Sequence, residues 1–549
     1  MSDQRYAFLR AASRKVTLKG ESGNRFSGTG GPGKRSFETV ETPKRLWWAL
    51  AALCVPLVMV SIDATILNVA LPSIARDLGT TDTQLIWINS AYIIMFGATI
   101  LFSGNLADKY GRKLALMTGM LVFIAGSIWA GLSPGPGSLV EARILQGAGG
   151  GLIMPATLAL ITNIFPSGTR PRAIAIWAGI SGVGVALGPI LGGILLSAFF
   201  WGSVFFVNVP VVIVGLIAVH FLVPGSKDSK APSIDYAGVV LSTLGLFCFF
   251  YFLIQEPNLH FTNWKVLTAL GLSVLLIGGF ILRELRCDHP LLDIRLFRNK
   301  AFSSGVLTIA IAFFALYGLL YELTLYLQSV REFSALKAGF ALVPFAVVLL
   351  LAAPAAPRLA VRVGNRWLGA GGLMILTVGL LVFLMVGVES GYWVVFLGLV
   401  LVGLGISLVT PPSSNAVMSS VPPEKTGMGA SANAAIRQVG GSMGIALIGG
   451  IAALVYGHRV VESGVLSGLS SSMVSAARSS INGAIEVSQR LPGSQAESLI
   501  KAADSAFVNG FHAAMVMIAI IAGASVLIAL WAIPREKLDM AKYQPRSLR

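Results

Sequence analysis

GNLADKYGRK, residues 104–113, holds Asp108, Lys109, Arg112 and Lys113 in a neighbourhood otherwise without charge. No Asp, Glu, Lys or Arg occurs from 83 to 107 or from 114 to 140. Each flank is long enough for the roughly 20 apolar residues that carry a helix through a bilayer. The run therefore reads as a short turn between two membrane helices, and its basic residues assign that turn a side.

The pattern repeats along the chain. Charge-free stretches also cover 173–219 and 390–423. Of 549 residues, 55% are apolar and 12% charged; that charge is about half the usual share for a soluble domain. A soluble core does not hide so many stretches, so the fold class is an all-α polytopic membrane protein. Fourteen spans are expected, near 46–72, 84–105, 114–132, 138–163, 173–197, 203–223, 236–255, 265–283, 302–328, 336–357, 367–387, 392–418, 428–456 and 511–533. The long run 173–219 holds two of them, joined near Phe200–Ser203.

With the N-terminus placed inside, inner segments hold 31 of the 41 Lys and Arg, outer loops hold 8, and Arg143 and Arg437 are left within spans. Both termini are then cytoplasmic. The net charge of +16 is topological, with anionic lipid headgroups rather than nucleic acid as its partner. Residues 1–45 and 534–549 are expected as basic cytoplasmic tails, the former disordered, and 457–510 as a Ser/Ala/Gly-rich external hairpin. Cys54, Cys248 and Cys287 suggest no disulfide framework, and no secretory signal is evident.

Charges inside spans are costly and mark function by default. Asp63 follows seventeen uncharged residues, Leu46 to Ile62, and stands roughly 25 Å along its helix at 1.5 Å per residue. Arg143 opens the fourth span about five residues from its outer end. Counted from independent ends, the two reach a similar depth. If both face the interior, a carboxylate and a guanidinium share a cavity, and a change in their separation switches protonation. A helix cap at the interface is the plainer reading of Asp63. Glu322, in span nine, is either a second protonation or cation site or an interfacial residue. Arg437, in the inner half of span thirteen, is expected to pair with backbone or a carboxylate.

Several motifs carry a family resemblance. G-x-x-x-D-x-x-G-R-K, set by Gly104, Asp108, Gly111 and Arg112, resembles the signature between spans two and three of the major facilitator superfamily. Asp108 and Arg112, four apart, can meet on one helical turn; the resemblance implies a cytoplasmic gate locking two helical halves. RILQGAGGGLIMP (143–155) resembles the antiporter signature of that superfamily. GVALGPILGG (184–193), with Gly184, Gly188, Pro189, Gly192 and Gly193, is similar to the signature of its drug-exporting branch, with Ala175 where the fuller pattern has glycine. DATILNVALP (63–72), FFVNVP (205–210), YLQSV (326–330), SALKAG (334–339) and IRQVGGSMG (436–444) resemble the fourteen-span drug:proton antiporters, the family of the quaternary-ammonium exporters. Two departures stand out: Gly202 replaces an arginine usual before FFVNVP, and RLAVRVGNR (358–366) lacks the acid expected of a second gate loop.

The resemblance implies two six-helix bundles, 46–225 and 301–533, with two inserted helices and a cytoplasmic linker at 226–300. It implies a proton-coupled antiporter, with Asp63, Arg143 and Glu322 as coupling groups, that exports amphipathic, mainly cationic, compounds from the cytoplasm across a bacterial inner membrane. A dedicated exporter of one antibiotic, lipid or metabolite, and a passive uniporter or channel, are the alternatives. No enzyme motif is evident: there is no G-x-x-x-x-G-K-[ST] loop and no intramembrane His/Glu metal cluster. No cofactor is expected, the proton gradient supplying the drive. The partners are small amphipathic molecules, protons and lipids, with a monomer the default assembly.

Overall fold

The computed structural model describes residues 43–166, 169–227, 235–259, 263–288, 290–422 and 426–532. Both expected basic tails, apart from 43–45, lie outside the described residues. The elements are helices, and no strand occurs among the described residues.

Fourteen long helices run α1 Lys44–Leu78, α2 Asp82–Tyr110, α3 Arg112–Gly131, α4 Pro136–Ile164, α5 Arg170–Ala198, α6 Ser203–Leu222, α7 Tyr236–Leu259, α8 Trp264–Glu284, α9 Lys300–Val330, α10 Ala335–Ala352, α11 Asn365–Met385, α12 Tyr392–Ser419, α13 Thr426–Glu462 and α14 Gly493–Ala532. Among the described residues, all but α5 hold a stretch long and apolar enough to cross a membrane; α5 has 29 residues and an apolar segment at Leu187–Ala198. The chain is a multi-pass membrane protein of the expected all-α class.

Local chemistry sets the boundaries. Gly79 ends α1 at φ +60°, a conformation that favours glycine. Thr81 and Gln84 then form a reciprocal capping box at the start of α2: Gln84 N donates to Thr81 Oγ1 at 3.3 Å and Thr81 N to Gln84 Oε1 at 2.9 Å. Pro136 opens α4, where its missing N–H costs nothing. The expected break near Phe200–Ser203 is present, with Phe199 extended.

Small residues let helices approach closely, as is usual where lipid gives little hydrophobic drive between them. A Cβ on Gly149 would stand 2.6 Å from the Phe123 amide nitrogen of α3, and one on Gly151 would stand 2.8 Å from the Phe96 carbonyl of α2. α7 and α8 are peripheral: 28% and 22% of their apolar stretches are buried, against 72%, 78% and 72% for α1, α2 and α9. Trp48, Leu121, Phe221, Leu275, Leu527 and Trp531 are exposed. So large an apolar exterior fits contact with acyl chains and not with water.

The 457–510 region is largely helical. α13 runs on to Glu462, α14 begins at Gly493, and Ser471–Ser479 and Ile481–Ser488 form two short helices between them. Tyr456 ties α13 to this hairpin by donating to the carbonyls of Ala477 at 2.9 Å and Ser480 at 3.0 Å.

Candidate functional site

Asp63 and Arg143 meet. Arg143 Nη1 donates to Asp63 Oδ2 at 2.8 Å, and the two side chains are 0% and 1% exposed. Arg143 lies on α4 where glycines bring α2 and α3 close, so its guanidinium has no route to solvent. Its charge is shared with the π face of Tyr92, 4.1 Å from the ring centroid.

Three polar residues complete the cage. Asn208 Nδ2 donates to Asp63 Oδ1 at 2.9 Å. Gln146 Nε2 donates to the same oxygen at 3.4 Å, and to Ser127 Oγ at 2.8 Å, while Gln146 Oε1 accepts from Arg143 Nη1 at 2.9 Å. Such a buried pair is tolerable because much of its remaining hydrogen-bonding capacity is met by Asn208 and Gln146. Arg143 Nε and Asn208 Oδ1 are buried without a partner. Both Asp63 oxygens accept hydrogen bonds, Oδ2 from Arg143 and Oδ1 from Asn208 and Gln146.

Sequence reasoning placed Asp63 with Arg143 but missed Ser127, Gln146, Asn208 and Tyr92. Gln146 and Asn208 stood inside quoted motifs and were legible as polar side chains in apolar helices. Ser127 and Tyr92 carried no such signal.

The five-residue export motif packs α5 on two sides. Cβ atoms on Gly184 and Gly188 would stand 2.9 Å from the carbonyls of Val58 and Ile62 on α1. On its other side, a Cβ on Gly193 would stand 2.6 Å from Leu336 Cα of α10, and Gly339 of α10 sits against the Pro189 carbonyl. Gln328 Nε2 of α9 donates to the Val69 carbonyl of α1 at 2.9 Å. These contacts join the two halves at the end remote from the 108–113 turn. A small cavity lies just beside them, lined by Thr65, Asn68, Pro189, Leu320 and Phe345.

At the turn itself, Arg112 Nε donates to Asp108 Oδ1 at 2.7 Å. The pair does not share one continuous helical turn. Gly111, at φ +119°, separates α2 from α3, and the ion pair closes across that break. Arg112 N also donates to the Ser226 carbonyl at 2.9 Å. Gly104 faces Ser431 of α13 with room for a methyl, since a Cβ there would stand 3.8 Å from Ser431 Oγ; the tighter approach is seven residues earlier, where a Cβ on Gly97 would stand 3.0 Å from Gln438 Cβ.

Glu322 is buried within the protein, 2% exposed, and its Oε2 has no partner. Arg437 departs from expectation. Its Nη2 donates to Ser414 Oγ at 3.0 Å and its guanidinium lies 5.2 Å from the Phe313 ring centroid. Among the described residues it pairs with no carboxylate, because α9 and α12 present an aromatic ring and a hydroxyl there. The described residues include no group of three His, Cys, Asp or Glu arranged to hold a metal.

Among the described residues, fourteen long helices, a dry ion pair within one half and a glycine-lined seam between halves define a polytopic membrane protein of the two-bundle transporter class. A family model described as the Major Facilitator Superfamily matches residues 53–445, and the chain belongs to the major facilitator superfamily. It is 31% identical over 504 residues to a tetracenomycin C resistance and export protein of Streptomyces glaucescens, covering 90% of this chain and 93% of that one. It is 33% identical to the multidrug efflux pump LfrA of Mycolicibacterium smegmatis, covering 89% and 97%. Among solved structures, a bacterial homologue of the human lysosomal transporter Spinster, inward-facing and occupied, aligns with a TM-score of 0.64 over 89% of this chain and 98% of that one, at 16% identity. That last likeness concerns the fold alone.

Proposed function

We propose that this protein is a proton-coupled antiporter that exports amphipathic compounds, cationic ones among them, across a bacterial inner membrane. One observation carries the reading: the fully buried Asp63–Arg143 pair caged by Gln146, Asn208 and Ser127. A proton reaching Asp63 removes one half of the ion pair and frees Arg143 to seek other acceptors. That exchange changes how α1 packs on α4 and α6, and α1 is the helix on which the export motif of α5 rests. Protonation thereby reaches the α5–α10 seam that must open and close.

The Lys/Arg distribution supports cytoplasmic termini, with the 108–113 turn inside. The α5–α10 seam is then the external closure, Asp108 and Arg112 belong to the cytoplasmic gate, and the substrate passes between the halves near mid-membrane. Glu322, with an unpartnered oxygen, is the second candidate to carry a proton. One proton crossing about 100 mV supplies roughly 2.3 kcal/mol, to which a pH difference adds. The relatives named for multidrug efflux and for resistance support export of drug-like compounds; a relative named for a single antibiotic also favours a dedicated exporter as the second reading.

The test is ethidium efflux from cells expressing wild type or Asp63→Asn, with and without a protonophore. Efflux by the wild type is expected to collapse with the protonophore and to be lost in the variant at equal membrane abundance. Efflux that survives the protonophore points to a passive carrier and overturns the reading.

A further inference from the structure

Two guanidinium groups lie within the spans, and they are treated in opposite ways. Arg143 is neutralised by Asp63 at 2.8 Å and is 1% exposed. Arg437 meets no carboxylate among the described residues; it has Ser414 Oγ and the Phe313 ring, and its Nε is buried without an acceptor. Beside it, Asn433 Nδ2 donates to the same Ser414 hydroxyl at 3.3 Å, while Asn433 Oδ1 has no partner. Arg437, Asn433, Ser414 and Phe313 are all partly exposed.

A charge held within a span without a counter-ion is expensive, and a buried donor left unmet adds to that cost. Such a group is retained where an acceptor arrives from elsewhere. The position fits the transport path. Phe313 and Leu320 are seven residues apart on α9, two helical turns on one face, and Leu320 lines the cavity between the halves. The residue after Arg437, Gln438, packs against Gly97 of the opposite half.

We propose that Arg437, supported by Ser414 and Asn433, is a substrate subsite for an oxyanion, such as the carboxylate or phenolate of an amphipathic aromatic compound. Arg437 supplies the charge and donors aimed at the anion, Phe313 offers an aromatic face to the rest of the molecule, and Asn433 Oδ1 accepts from a neighbouring hydroxyl. Asp63, with both oxygens taken, offers no competing attraction for a cation in this conformation. The transporter then accepts acidic and zwitterionic amphiphiles as well as cations, and the two classes use different walls.

This inference rests on the export reading, and two probes separate the failure of one from the failure of the other. Purified protein in liposomes is given an imposed pH difference, and uphill movement of ethidium and of carboxyfluorescein is followed. Wild type is expected to move both. Arg437→Gln should lower carboxyfluorescein transport roughly tenfold or more, the loss of one charge-assisted contact, with ethidium transport unchanged; Arg437→Lys should retain part of the acid transport. Equal loss of both probes makes Arg437 a packing element and overturns the proposal. So does wild type that moves ethidium but not carboxyfluorescein. Wild type that moves neither overturns the export reading itself.

Discussion

Arg143 Nη1 lies 2.8 Å from Asp63 Oδ2, although the two residues are 80 positions apart on α4 and α1. The pair is closed to solvent on every side, so neither member can be removed without leaving the other exposed to a low-dielectric interior. Removing one partner of such a pair costs about 3–5 kcal/mol, whereas replacing both is far milder. Arg143→Met is therefore expected to lower the melting temperature of the detergent-solubilised protein sharply. The double variant Asp63→Asn/Arg143→Gln should recover most of that loss and still fail to couple. A double variant as unstable as Arg143→Met would remove the ion pair from the account.

The α5–α10 seam yields a conformational prediction. Gly339 packs on the Pro189 carbonyl and leaves no space for a side chain. Gly339→Val should disfavour the joined state by roughly 1–3 kcal/mol, the usual scale of overpacking. Transport should fall while the protein stays in the membrane, and Leu336→Cys in that background should react faster with a water-soluble maleimide. Unchanged labelling would show that the seam does not separate.

Asp108 and Arg112 are 35% and 18% exposed at their side chains, so their pairing contributes little to stability, about 0.2–1 kcal/mol. Asp108→Asn should leave the melting temperature almost unaltered and yet slow transport, because a gate needs the contact only at one stage of the cycle. Parallel thermal and transport assays decide this, and normal transport in Asp108→Asn would make the turn a topological marker only.

Asp235, just before α7, provides a pH-dependent stability test outside the spans. Burial acts to raise its pKa, but the Gly238 N–H at 3.0 Å and Arg283 at 2.7 Å outweigh it and hold the carboxyl below its ordinary value. A depressed carboxylate stabilises the fold above the unfolded pKa and loses that contribution as pH falls through the folded one. The melting-temperature gap between wild type and Asp235→Asn should be full near neutrality and shrink below about pH 4. A gap that is flat across that range would mean that the Arg283 pairing adds nothing.

The spans and the meeting of Asp63 with Arg143 were legible because a lipid environment enforces simple rules: length, apolarity and the rarity of charge. Depth along two helices could be counted from their ends. The hydrogen-bonding cage was harder to see, since Ser127 on α3 becomes a partner of Gln146 only through helix rotation, which span counting does not fix. The environment of Arg437 was misread for the same reason: backbone or a carboxylate was expected, and rotation brought Ser414 and Phe313 instead. Gly111 shows a third limit, since the i, i+4 spacing of Asp108 and Arg112 suggested one helix, and a positive φ put a break between them.

The most direct measurement is substrate-linked proton movement in liposomes reconstituted with wild type and with Asp63→Asn. An imposed pH difference should drive ethidium uphill through the wild type, and adding ethidium should in turn move protons. Asp63→Asn should do neither, while still letting ethidium equilibrate down its own gradient. Uphill transport that persists in Asp63→Asn, or that ignores the pH difference in the wild type, would contradict the account.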